Sequence, residues 1–195
     1  MPGRLLTLAA VALVAIAGAS GCADQVSPAA QVGDTTISHN DLMTEVEAWS
    51  TSPALVETLQ IPFLPGSEAA GYSNDFVGIV LSNRVIFELH NEEFERLGLE
   101  LTDEELQAAR EAVPPAMLDE LGGYGDTLLA DIARQFRIQE ELADGYQTWA
   151  LDAFAQTDIE VSSRYGTWDT TTGTVTAPSA TVPGDEDGDP EAVTR

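Results

Sequence analysis

The chain has 195 residues and a formal net charge of −25, with 33 acidic side chains against 8 cationic ones, all of them Arg. So acidic a chain is repelled by nucleic acid and by anionic lipid headgroups, and we do not expect it to bind nucleic acid. The single cysteine, Cys22, has no partner for an intramolecular disulfide. The folded part must therefore be stabilised by its hydrophobic core.

Residues 1–22 have the pattern of an export signal. An Arg precedes an apolar run at residues 5–17 that is too short to span a bilayer well, and small residues then lead to Cys22. The pattern resembles a bacterial lipoprotein signal, which implies removal of residues 1–21 and a diacylglyceryl thioether on Cys22. That resemblance predicts lipid anchoring at the extracytoplasmic face of the cell membrane, with residues 22–30 as the tether. An ordinary secretory signal and an uncleaved anchor remain as alternatives.

The first folded elements are a strand or hairpin and a helix. β-branched and apolar residues flank the turn-forming pair Gly33-Asp34 within residues 30–37. Ser38 is a typical N-cap, and apolar spacing predicts a helix that ends near Ser50.

A short helix, a loop and a long helix follow. Pro53 suits the first turn of the short helix, and residues 61–66 (IPFLPG) cannot continue it. Apolar residues then recur at three-, four- and seven-residue steps, which predicts a long helix from about Asp75 to Leu97.

Two more helices and a strand complete the predicted domain. Thr102 and Glu105 form a capping-box pattern at the start of one helix. The other is expected to be the longest, from about Asp126 to Ala155, with Gly145 as a weak point. Residues 159–161 alternate as a strand does. Residues 170–195 are rich in Thr, Pro, Gly and acid, which predicts a disordered acidic tail.

The order of these elements is itself informative. A strand with the sequence VGDTTIS (residues 32–38) enters a capped helix, and the segment LTDEEL (residues 101–106) starts a later one. In this order, over about residues 32–161, the chain resembles the N-terminal chaperone domain of the SurA, PrsA and trigger-factor-like foldases. The resemblance implies a mainly α domain at residues 31–169, with long amphipathic helices and a small two-strand element that pairs its start with its end.

The same resemblance implies binding of unfolded or newly secreted polypeptides outside the membrane. Many members carry a parvulin-type prolyl isomerase domain between the long helix and the final strand, but here Thr157-Asp158-Ile159 follow the helix directly. An inserted domain has no room at this point. We therefore expect a non-catalytic protein, with prolyl isomerase activity as an alternative that a proline-limited refolding assay would test.

No residue pattern indicates a metal, a cofactor or catalysis. The two histidines, His39 and His90, fall in different elements without catalytic neighbours, and no phosphate-binding or nucleophile motif occurs. Residues that could contact a polypeptide are apolar or adaptable side chains in loops and helices. They are Phe63, Leu64, Met43, Met117 and Tyr124.

A second hypothesis explains the same features. The helical domain would be a structural or assembly lipoprotein that binds one dedicated envelope partner instead of unfolded chains in general. Co-purification from a detergent extract separates the two, because it yields either many clients or one band. The sequence gives neither the oligomeric state nor the identity of a client.

Overall fold

The computed structural model describes residues 28–58 and 72–178. Within them the chain is mainly helical, as the sequence predicts, with seven α-helices and five three-residue strands. The signal segment, the predicted loop at residues 61–66 and residues 179–195 lie outside the described residues, so Cys22, Phe63 and Leu64 do as well.

A small antiparallel sheet joins the start of the described chain to a strand near residue 160. β1 (Ala30–Val32) lies between β2 (Thr35–Ile37) and β3 (Ile159–Val161). Gly33 in the β1–β2 turn has a φ of 52°, a left-handed conformation that favours glycine. The predicted pairing of start and end is confirmed, and the hairpin adds a third strand to it.

The first three helices begin and end close to their predicted positions. α1 (His39–Ser50) is capped by Ser38, and α3 (Asn74–Arg96) is capped by Ser73. Both caps accept a hydrogen bond from a backbone N–H of the first turn, which is otherwise left without a partner. The short α2 (Pro53–Thr58) starts at the proline.

The next two helices are short, and the sequence pattern predicts only the first of them. α4 (Asp103–Ala112) has the predicted capping box, in which Thr102 and Glu105 satisfy each other's backbone N–H. α5 (Pro115–Leu121) begins at a proline, whose missing N–H costs nothing at a helix start.

The prediction of one very long helix from Asp126 to Ala155 is wrong. α6 (Tyr124–Leu142) ends in a 3-10 turn at Ala143–Gly145, and α7 (Tyr146–Gln156) follows as a separate helix. Ala143 has a φ of 44°, which breaks the helical path two residues before the predicted weak point. Within residues 28–58 and 72–178 the longest helix is therefore α3, with 23 residues.

The predicted start of the disordered tail, at residue 170, is too early, because ordered structure continues beyond it. β4 (Thr167–Asp169) pairs antiparallel with β5 (Thr174–Thr176). Val175 in β5 is buried, and its N–H donates to Ser82 Oγ on α3 at 2.7 Å. The composition of this segment is tail-like, but one buried valine and strand pairing hold it against α3.

The core is built mainly by α1, α3 and α6. Its largest fully buried apolar side chains come from β1 and these helices: Trp49, Leu42, Leu81, Ile138, Val32, Val46, Val80 and Val85. No helix in the described ranges is both long enough and apolar enough to cross a membrane.

Candidate functional site

An apolar groove opens on the helical face of the domain. It has a volume of about 290 Å³ and is formed by α1 to α6. Its floor consists of core side chains that are at most 7 % exposed. The main apolar residues of the groove are Trp49, Leu55, Phe87, Met117, Ile132 and Phe136.

Phe136 is the large apolar side chain of the groove lining that is exposed. It is 42 % exposed, and within the described residues only Leu151 is also a large exposed apolar side chain. Burying an aromatic ring in a partner is among the stronger sources of binding free energy. The groove therefore presents one exposed aromatic ring beside an apolar floor.

A cluster of charged side chains lies between α3 and α6. Arg84 Nε donates to Glu88 Oε1 at 2.9 Å, and its Nη1 donates to Asp131 Oδ2 at 3.0 Å. Asp131 is 2 % exposed and also accepts from Arg134 Nη1 at 3.1 Å. Burial opposes the charge of Arg84, but the carboxylates of Asp131 and Glu88 outweigh it and raise its pKa. The two arginines and two carboxylates compensate one another.

Glu45 is buried beside this cluster, and no cationic side chain of the described residues forms an ion pair with it. It is 4 % exposed, and the hydroxyl of Tyr124 donates to its Oε1. Burial raises the pKa of Glu45 to about 7, with the hydrogen bond from Tyr124 and the charge of Arg84 opposing the shift. Burial also raises the pKa of Tyr124, so its hydroxyl stays a donor.

Glu45 and Tyr124 line a second opening, which we call the polar cavity. Its volume is about 350 Å³, and β2, α1, α3 and α6 form its walls. The lining is Thr36, Ile37, Asp41, Leu42, Thr44, Glu45, Arg84, Glu88, Tyr124 and Thr127.

The predicted polypeptide-binding residues that the structure describes do not share one site. Met117 lies in the floor of the apolar groove, whereas Tyr124 lines the polar cavity. Met43 is half-buried and lines a third cavity, of about 410 Å³, with Tyr72 and Tyr165. Of the three predicted residues that the structure describes, only Met117 thus belongs to the apolar groove.

Sequence reasoning missed Phe136 in the apolar groove and Asp131 in the charged cluster between α3 and α6. Phe136 follows Leu129 and Ile132 at helical spacing, which is typical of core side chains, so the sequence does not mark it as exposed. Asp131 lies between the apolar residues Leu129 and Ile132. A carboxylate at such a position is a usable signal of a buried ion pair, since buried acids are rarely left unpaired.

Both histidines have structural partners. His90 is 2 % exposed, and its ring nitrogens lie 2.7 Å from the carbonyl of Ile86 and 2.9 Å from the hydroxyl of Tyr146. Burial lowers the pKa of His90, which favours the neutral ring. His39 contacts the hydroxyl of Tyr165. The described part of the chain contains no group of three or more His, Cys, Asp or Glu side chains that could hold a metal ion.

No family model, curated protein or solved structure matches this chain. The function must therefore be argued from the groove, the polar cavity and the sequence.

Proposed function

We propose that this protein is a lipid-anchored, extracytoplasmic chaperone-like protein that binds unfolded or newly secreted polypeptides without isomerase catalysis. The observation that carries the proposal is the apolar groove, in which Phe136 is 42 % exposed. This apolar surface lies on a strongly acidic chain, whose net charge is −25. The element order that resembles the SurA, PrsA and trigger-factor-like foldases supports the same function.

The groove and the charge have complementary roles in this proposal. Apolar side chains of an unfolded chain would be removed from water by packing against Phe136 and the groove floor. This contributes a binding free energy of roughly 25 cal/mol per Å² of buried apolar surface. The acidic surface would keep the complex soluble through repulsion between copies. Met117 in the floor is unbranched and can adjust to different side chains.

An aggregation assay with matched variants tests the groove. The full chain, purified in detergent, should slow the aggregation of a chemically denatured client enzyme at a near-stoichiometric ratio. We predict that Phe136→Asp weakens this protection about tenfold or more, because it places a charge where apolar groups must dock. Light scattering during dilution from denaturant measures the effect.

Leu151→Asp is the matched control. Leu151 is 52 % exposed on α7 and is not part of the groove. The control should protect the client as well as the parent does. Equal loss in both variants, or no protection at a large excess of the parent, would contradict the proposal.

The size of the groove favours a second candidate function. A volume of about 290 Å³ is at the small end of the usual range for ligand sites, so it suits one or two anchoring side chains. That is consistent with a structural or assembly lipoprotein that has one dedicated envelope partner. Co-purification with the parent and with Phe136→Asp would then show a single band that the variant loses.

Membrane attachment has its own test. If Cys22 carries the lipid, Cys22→Ala should leave the protein unprocessed or move it from the membrane fraction to the soluble fraction, because two acyl chains are needed for stable anchoring. Cell fractionation and immunoblotting measure this. Ser20→Ala, two residues away, is the control and should fractionate like the parent. Membrane attachment of a processed Cys22→Ala protein would rule out the lipid anchor.

A further inference from the structure

The polar cavity has a lining that suits a small charged group with an alkyl stem. Its walls combine the carboxylates of Asp41, Glu45 and Glu88 with the guanidinium of Arg84 and the apolar side chains of Ile37 and Leu42. A volume of about 350 Å³ is enough for a short chain with a polar end.

The charges in the walls leave an excess of carboxylate. Arg84 is already bound to Glu88 and Asp131, so its guanidinium is compensated. Neither Asp41 nor Glu45 has an ion pair with a cationic side chain among the described residues. A ligand anion would meet uncompensated carboxylates in this cavity, whereas a ligand cation would be attracted to them.

One of the two carboxylate oxygens of Glu45 accepts no hydrogen bond from the described residues. Its side chain is 4 % exposed, and its Oε1 accepts from the Tyr124 hydroxyl. Its Oε2 has neither a hydrogen bond nor an ion pair among the described residues. Because Glu45 lines the cavity, a ligand there can donate a hydrogen bond to this oxygen.

We propose that the polar cavity binds a primary alkylammonium group, with Glu45 as its counter-ion. An ammonium has three donors, and Glu45 Oε2 and the hydroxyl oxygens of Thr44 and Tyr124 are acceptors in the cavity lining. A planar guanidinium is bound best by two parallel oxygens of one carboxylate, and Asp41 and Glu45 each already accept a hydrogen bond on one oxygen. The methylene stem would lie against the part of the wall that Ile37 contributes.

The ammonium group could come from a lysine side chain of a polypeptide or from a free alkylamine. Calorimetric titration of the full chain with two probes distinguishes these sources. The probes are n-butylamine and the acetylated, amidated peptide Gly-Gly-Lys-Gly-Gly, each compared with its neutral counterpart, n-butanol or the norleucine peptide. Saturable binding of either charged probe supports the site, and binding of the peptide alone identifies the source as a polypeptide.

The variant Glu45→Gln should weaken binding of the charged probe about tenfold or more, because it keeps the shape of the side chain and removes its charge. Glu47→Gln, on the same helix and exposed, should bind like the parent. Absence of saturable binding by both charged probes, or equal affinity in Glu45→Gln and the parent, would overturn the proposal.

A measurement on the parent protects the test against a variant that does not fold. Affinity for n-butylamine should rise from about pH 6 to about pH 8 as Glu45 ionises, while the alkylammonium stays charged. The groups that act on Glu45 are Tyr124 and Asp131 of α6 and Arg84 and Glu88 of α3. A flat pH profile would count against Glu45 as the counter-ion. Client protection through Phe136 is a separate readout, so this inference and the proposed function can fail independently.

Discussion

Glu45 carries the clearest consequence at the scale of one residue, because burial changes its proton affinity. Its pKa rises from 4.5 to about 7 in the folded protein, so the folded state holds this proton more tightly than the unfolded chain. The stabilisation from the bound proton is complete below about pH 4.5 and is lost as the pH rises through about 7.

We predict that Glu45→Gln flattens the dependence of stability on pH. Between about pH 5 and about pH 8, the free energy of unfolding of the parent should fall by up to about 3 kcal/mol more than that of the variant. Urea unfolding at a series of pH values measures both. Glu47→Gln, exposed on the same helix, should follow the parent. Parallel curves for the parent and Glu45→Gln would show that Glu45 ionises normally.

At the scale of the element, helix starts could be predicted from the sequence and one helix end could not. Ser38, Ser73 and Thr102 cap their helices because a side-chain oxygen within the first turn satisfies a free N–H, which is a local interaction. The end of α6 at Leu142 has no such signal. Ala143 is a strong helix former, yet its φ is 44°.

The position at which α6 ends is determined by tertiary structure. α7 must return the chain so that β3 can pair with β1, with Gln31 opposite Glu160. This requirement joins residues about 130 positions apart in the chain, and no local pattern encodes it. The polar cavity was not predicted for the same reason, since Glu45, Arg84 and Tyr124 come from three separate helices.

At the scale of the whole molecule, the two-stranded sheet of β4 and β5 determines where the folded domain ends. Trp168 and Val175 are 9 % and 8 % exposed, and they lie opposite each other in β4 and β5. Gly166 is needed for this fold, because a Cβ there would lie 2.0 Å from the carbonyl oxygen of Thr176. These contacts place residues 170–176 in the folded domain, although their composition resembles that of the acidic tail.

Two truncations test this boundary. Ending the chain after Asp169 removes β5, the burial of Val175 and the hydrogen bond to Ser82. We predict a loss of about 2–4 kcal/mol in the free energy of unfolding, from one buried valine, one hydrogen bond and the exposure of Trp168. Ending the chain after Pro178 removes only acidic, Thr- and Pro-rich sequence and should leave stability within about 0.5 kcal/mol of the parent. Urea unfolding followed by the fluorescence of the three tryptophans, one of which is Trp168 in this sheet, compares the three chains. Equal stability of both truncated chains would place the end of the folded domain before β5.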